Sequence, residues 1–149
     1  MCAETCLQES VRHTRPLMPA SILIADDYDD NRELLRLMLA PDGYTIREAR
    51  DGREAVSSAR AETPCLVLMD LSMPHLDGWG ALRELRADPR TRNVPCVAVT
   101  AFASDEDRRR ALDAGFDAYL AKPFRARDLT EMVERLLARQ SRAGEQTTL

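Results

Sequence analysis

The sequence predicts an α/β fold, a (βα)5 unit in which five parallel strands form one doubly wound sheet with helices on both faces. Three observations lead there. Short apolar runs at residues 21–25, 44–49, 65–69, 95–99 and 117–121 alternate with five stretches of helical spacing or capping signals. Such short, regular alternation implies a parallel sheet with right-handed crossovers. The third run, Cys65-Leu66-Val67-Leu68-Met69, has no polar alternation, as a strand covered on both faces requires. The second run is interrupted by Thr45, Arg47 and Glu48, which suits an edge strand.

Taken in order, residues 1–19 carry no periodicity and are read as a flexible N-terminal arm closed by Pro16 and Pro19. Residues 20–140 form the single domain. The first strand, Ser21-Ile22-Leu23-Ile24-Ala25, runs into Asp26-Asp27. The helix after it, expected from Asn31 to Leu39, carries Leu34, Leu35, Met38 and Leu39 as its apolar face, with Asp29 and Asp30 at its positive end. Pro41-Asp42-Gly43 ends it.

After the edge strand, Asp51-Gly52 opens a short helix bearing Ala55, Val56 and Ala59. The central strand then delivers Asp70 to a turn containing Met73-Pro74, because proline cannot continue the ladder. Asp77-Gly78 starts a third helix with Trp79, Leu82 and Leu85 as core, and the fourth strand ends in Thr100. Ser104 with Asp107 resembles a capping box and starts the fourth helix, which Gly115 is placed to terminate. Tyr119 lies in the fifth strand, which leads to Lys122-Pro123-Phe124. The last helix has the cleanest periodicity, with Leu129, Met132, Val133, Leu136 and Leu137 on one face. Residues 141–149 are polar and are expected to be a frayed tail.

The bulk properties exclude several classes. The 149 residues suffice for one domain and hardly for two. A hydrophobic fraction of 44% and a charged fraction of 31% belong to a globular protein rather than a disordered one. A net charge of −4 gives no electrostatic reason to expect nucleic acid or an anionic membrane as partner. No apolar run approaches the roughly 20 residues of a membrane span, and the start lacks the apolar centre of a secretory signal. A cytoplasmic location is expected. Cys65 and Cys96 begin strand-like runs and are read as core thiols. Cys2 and Cys6 lack two further ligands at a recognised spacing, so neither metal nor disulfide is expected of them. His13 and His75 are read as surface residues, and Arg108 to Arg110 as a solvated helix face.

In a parallel sheet the carboxyl ends of all strands share one rim, where ligands of open α/β sheets bind. Asp26, Asp27, Asp70, Thr100 and Lys122 should therefore meet. Three carboxylates packed together repel one another unless a cation joins them. Oxygen ligands with open positions suit Mg²⁺, and a lysine and a hydroxyl nearby complete a site for a phosphoryl group.

These residues resemble the receiver domain of response regulators in two-component signalling, over residues 21 to about 140. The motifs are Asp26-Asp27, Asp70 followed by Met73-Pro74 and Asp77-Gly78, Thr100-Ala101, Tyr119 and Lys122-Pro123-Phe124, each in order at its own strand end. The resemblance implies the flavodoxin-like strand order 2-1-3-4-5 and a stand-alone response regulator with Asp70 as phosphoacceptor from a phosphohistidine. It implies Mg²⁺ held by Asp27, Asp70 and the backbone carbonyl of Ser72, with Asp26 acting mainly through water. Lys122 would pair with Asp70 and then with a phosphoryl oxygen. Thr100 would swing toward that group, and Tyr119 would move inward. The partners implied are a sensor histidine kinase or histidine phosphotransfer protein upstream, and a target protein on the face of fourth helix, fifth strand and fifth helix. Such a protein is not a turnover enzyme; it catalyses only its own phosphorylation and dephosphorylation.

Two positions bear on rate. Ser72 is smaller and more polar than the methionine often found there in this family, and the bulky Phe102 is expected to shade the phosphoryl group from water. Tyr28 could line the pocket mouth. Two alternatives stand beside this reading. A haloacid-dehalogenase-type phosphatase needs a second aspartate two residues after the nucleophile, where this chain has Ser72. A phosphorylation-independent module of the same fold typically lacks acceptor, metal or lysine residues, and this chain has all three.

Overall fold

The computed structural model describes residues 20–101 and 104–148, with the side chains of the last helix as far as residue 140. Strands β1 (Ser21–Ala25), β2 (Thr45–Ala49), β3 (Leu66–Met69), β4 (Cys96–Thr100) and β5 (Ala118–Ala121) alternate with helices α1 (Asp29–Leu39), α2 (Gly52–Ala61), α3 (Gly78–Ala87), α4 (Asp105–Ala114) and α5 (Ala126–Thr148). All neighbouring strands are parallel, in the order β2-β1-β3-β4-β5. The flavodoxin-like order is as the family resemblance implies, and the edge position of β2 is as its interrupted apolar run predicts.

Alternation along the strands builds two cores. Ile22 and Ile24 of β1 with Leu66 and Leu68 of β3 face α1 and α5, where Leu35, Leu39, Leu129 and Val133 cover them. Leu23, Ala25, Val67 and Met69 point the other way, under Val56 of α2, Leu82 and Leu85 of α3 and Ala111 of α4. Both faces of β3 are thus buried, which explains its unbroken apolar run.

Helix starts follow local chemistry. The Asp51 carboxylate accepts from Glu54 N–H, Asp77 from Gly80 N–H, and the Ser104 hydroxyl from Asp107 N–H at 3.0 Å. Each such cap is worth about 1 kcal/mol. Gly115 ends α4 at φ 120°.

Two expectations are corrected. Helix α1 begins at Asp29, two residues early, and Leu34 lies outside its buried face with 48% exposure, while Arg32 takes a place in that face. The periodicity admits Arg32, Leu35 and Leu39 at i, i+3 and i+7, and only the arginine's partners decide in its favour. Helix α5 continues to Thr148, where a frayed tail is expected from residue 141. Arg142, Ala143, Glu145 and Gln146 in that segment favour a helix, while Ser141, Gly144, Thr147 and Thr148 do not, so the extension beyond the apolar stripe has only partial support from backbone propensity. No helix among the described residues is long and apolar enough to cross a membrane. The N-terminal arm, with Cys2, Cys6 and His13, lies outside the described residues.

Candidate functional site

The register of the sheet brings the strand ends together. Ala25 is level with Ala49 on one side and Met69 on the other, and Thr100 with Ala121. Backbone bonds carry this one step past the strands: Asp26 N–H donates to Ala49 O, Asp70 N–H to Ala25 O, and Lys122 N–H to Thr100 O. Asp26, Asp70, Thr100 and Lys122 therefore share one rim. The Lys122-Pro123 peptide is cis.

Asp26, Asp27 and Asp70 each bring a carboxylate oxygen within 4.8 Å of the others. Asp26 and Asp70 are buried, with exposures of 1% and 8%, and Thr100 is wholly buried. Lys122 Nζ donates to Asp26 Oδ2 at 3.1 Å and to Asp70 Oδ2 at 3.3 Å, so one ammonium bridges two of the three acids. The other oxygen of Asp70 accepts from Ser72 N–H at 3.1 Å. Asp26 Oδ1 accepts from Tyr28 N–H at 2.9 Å, and both Asp26 oxygens are 3.4 Å from Asn31 Nδ2. Asp27 differs from its neighbours, because its Oδ1 is buried without a hydrogen-bond partner among the described residues.

The electrostatics follow from that crowding. Burial pushes the Asp70 carboxyl up; the Ser72 N–H and Lys122 pull against the shift, and the Asp26 charge adds to it. Burial likewise works against the Lys122 charge, but Asp70 and Asp26 outweigh it and hold the ammonium above the ordinary lysine value. A buried carboxylate oxygen with no donor costs free energy, and a cation between the three acids would remove that cost. All three are hard oxygen donors, the set that Mg²⁺ prefers.

The loop from Asp70 to α3 is braced by two close approaches. Gly78 lies so near the chain that a Cβ there would be 2.4 Å from Asp70 O, and one at Gly52 would be 2.1 Å from Leu76 O. Gly52 N–H donates to that same Leu76 oxygen at 2.9 Å. Ser72 and His75 are exposed in this loop, and His75 takes a left-handed conformation at φ 67°.

Tyr119 is half-buried in β5, level with Ala98 of β4, and its Oη is buried without a hydrogen-bond partner among the described residues. Burial raises its phenol pKa, the Asp107 charge adds to the rise and Arg108 opposes it. Tyr28 is 65% exposed. Phe102 lies outside the described residues. A cleft of about 220 Å³ opens beside Lys122, lined by Asn31, Leu34, Leu35, Pro123 and Phe124. Asn31 and Arg32 are missed by sequence reasoning. The available signal is a polar pair at the first turn of a helix whose apolar stripe otherwise points inward.

On the opposite side of the sheet the Trp79 indole meets Phe116 edge to face, with centroids 6.0 Å apart, and the Arg110 guanidinium lies 4.8 Å over its ring. Trp79 is thus partly buried against the core, and Arg110 has a partner beyond solvent.

Comparison with known proteins agrees with this geometry. The family described as the response regulator receiver domain matches residues 22–134. The chain is similar to the polar-differentiation response regulator DivK of Brucella anthropi, 35% identical over 80% of this chain and 98% of that protein. It is 40% identical to the response regulator MprA of Mycolicibacterium vanbaalenii over 82% of this chain, which spans 52% of that longer protein. Among solved structures, the receiver domain of the sensor histidine kinase PA1611 from Pseudomonas aeruginosa superposes with a TM-score of 0.75 at 38% identity, covering 80% of this chain and 98% of that one. That structure has a magnesium ion coordinated in its active site cleft. Sequence, strand order and rim thus converge, and the chain belongs to the response regulator receiver domain family, whose function is to accept a phosphoryl group in signalling.

Proposed function

We propose that Asp70 is the acceptor, and that Asp26, Asp27, Lys122, Thr100 and Ser72 form the machinery around it. An Asp70 carboxylate oxygen attacks the phosphorus of a phosphohistidine. The phosphorus–nitrogen bond breaks, the imidazole leaves with the electron pair and takes a proton, and an acyl phosphate remains on Asp70. The observation that carries this reading is Lys122 Nζ bridging Asp26 and Asp70, because an ammonium already at the acceptor can move to a phosphoryl oxygen without crossing the site.

Asp27, Asp70 and the Ser72 backbone carbonyl would hold Mg²⁺ as the cofactor, and Asp26 would act on it through water. When bound it offsets the charge of the acids and of the incoming phosphoryl oxygens. The unpartnered Asp27 oxygen and the three-carboxylate cluster support this. Lys122 then pairs with the phosphoryl group, the Thr100 hydroxyl donates to it, and Tyr119 turns inward. Among the described residues nothing hydrogen-bonds the Tyr119 hydroxyl, which suits a ring that has to move. Since β5 is an edge strand between α4 and α5, a shift there reaches the surface directly. That face serves the downstream protein target.

Upstream, the donor is a sensor histidine kinase or a histidine phosphotransfer protein. The cleft beside Lys122 and the exposed Leu34 and Leu37 offer it an apolar footing next to the acceptor. Ser72 and Phe102 tune the lifetime of the acyl phosphate. The protein works in the cytoplasm, binds neither nucleic acid nor membrane, and turns over no substrate besides its own phosphoryl group.

Incubation with acetyl phosphate and Mg²⁺, followed by intact-mass measurement, tests the reading. The wild type gains the mass of one phosphoryl group, sensitive to hydroxylamine, and Asp70→Asn gains none. No adduct on the wild type, or the same adduct on Asp70→Asn, would overturn it. Turnover of small phosphate esters would instead indicate a phosphatase.

A further inference from the structure

Arg32 is the one arginine in the buried face of α1, with a side chain only 8% exposed, and its three donor nitrogens reach three different acceptors. Nη1 donates to the backbone carbonyl of Asp26 at 2.7 Å, and Nε to Glu48 Oε1 at 2.9 Å. Nη2 bonds the Asp29 carboxylate. Glu48 stands on the edge strand β2, and its second oxygen is taken by Arg36 Nε at 2.7 Å. The neighbouring residue of β2, Ala49, accepts the Asp26 N–H at 3.1 Å.

The peptide groups on both sides of Asp26 are therefore tied to β2, one directly and one through the guanidinium. The Asp26 carbonyl belongs to the peptide plane that joins Asp26 to Asp27. Turning that plane would swing the Asp27 carboxylate, one oxygen of which lies within 4.8 Å of oxygens of Asp26 and Asp70. From this geometry we infer that Arg32, anchored by Glu48, is a positioning residue that sets the Asp26–Asp27 pair for the metal.

Arginine suits the task and lysine does not. The planar fork meets three acceptors at fixed angles, whereas an ammonium is a point charge that could reach the carbonyl or Glu48 but not serve both. Partners behind a ligand commonly change metal affinity roughly 10- to 100-fold when removed, without touching the ion. A purely structural ion pair would leave that affinity alone.

This inference rests on the site being a Mg²⁺ site, so the test reads metal binding itself. MgCl₂ is titrated into ¹⁵N-labelled full-length protein and the amide shifts of Asp27 and Ser72 are followed, with melting temperature recorded in parallel. If the wild type shows no saturable shift, the metal reading fails. Given wild-type binding, Arg32→Met is expected to weaken it roughly tenfold or more. Arg36→Met removes a neighbouring Glu48 pair that does not touch Asp26, and is expected to keep wild-type affinity even if it melts lower. If Arg32→Met does not fold, Arg32→Lys is read in the same way, with weakened binding expected. Wild-type affinity in a folded Arg32 variant, or equal weakening in Arg36→Met, would overturn the inference.

Discussion

Lys122 stands as close to Asp26 as to Asp70, the proposed acceptor: its Nζ is 3.1 Å from Asp26 Oδ2 and 3.3 Å from Asp70 Oδ2. The lysine therefore holds the site together before any phosphoryl group arrives. Lys122→Met should destabilise the metal-free protein by about 1–3 kcal/mol, less than a fully buried pair would cost because the lysine side chain is 23% exposed. Asp70→Asn should do the opposite and raise the melting temperature in EDTA, since the folded state disfavours the charged form of that carboxyl. Thermal melts of both variants with and without Mg²⁺ check this, and the advantage of Asp70→Asn should shrink when the metal is present.

Gly78→Ala should cost about 1–3 kcal/mol and slow labelling by acetyl phosphate. A Cβ at that position meets backbone, Asp70 O at 2.4 Å and Leu71 Cα at 2.8 Å, so no side chain can swing aside to make room. Urea denaturation with timed phosphorylation would expose a neutral outcome.

Glu48 predicts a pH dependence. Burial works against its ionisation, but hydrogen bonds from Arg36 and Arg32 outweigh that and hold its carboxyl below the ordinary glutamate value. A depressed folded pKa means stability that is present at neutral pH and lost as pH falls through that lowered value. Glu48→Gln should therefore melt lower than wild type at pH 7, with the gap closing on the acid side of the glutamate range. A gap that widens with acid would contradict the sign.

Phe102→Ala is expected to speed loss of phosphoryl from Asp70, the outcome that the proposed rate-tuning role of the bulky residue two positions beyond Thr100 requires. Following the decay of labelled protein gives the rate directly, and an unchanged or slower decay refutes the role.

Leu34 and Leu37 lie one turn apart on α1 with 48% and 61% exposure, the former lining the cleft beside Lys122. Replacing both by aspartate should cut phosphotransfer from a phosphohistidine protein roughly tenfold, about 1.4 kcal/mol of lost docking, while acetyl phosphate labels the variant normally. Equal loss with both donors would argue for damage to the site instead.

The strand-end residues were legible because a strand exit is a local event: an apolar run, a polar residue and a turn suffice to place Asp70 or Lys122 on the rim. The Arg32 clamp was not, because it depends on which residue of β2 lies level with Ala25, and register is a tertiary fact. Leu34 shows the limit of periodicity, which offers two helix faces and cannot say that a guanidinium with three acceptors outcompetes a leucine for the inner one. The extension of α5 to Thr148 escaped for a different reason, since polar residues signal lack of a core and not lack of a helix.

Trp79 is the only tryptophan in the chain, and it is wedged between Phe116 and the guanidinium of Arg110 on α4. The molecule consequently carries an intrinsic optical probe at the junction of α3 and α4. A rearrangement that lifts Arg110 from the indole would alter its emission without any attached dye, so a movement of α4 against α3 can be followed in real time in unlabelled protein.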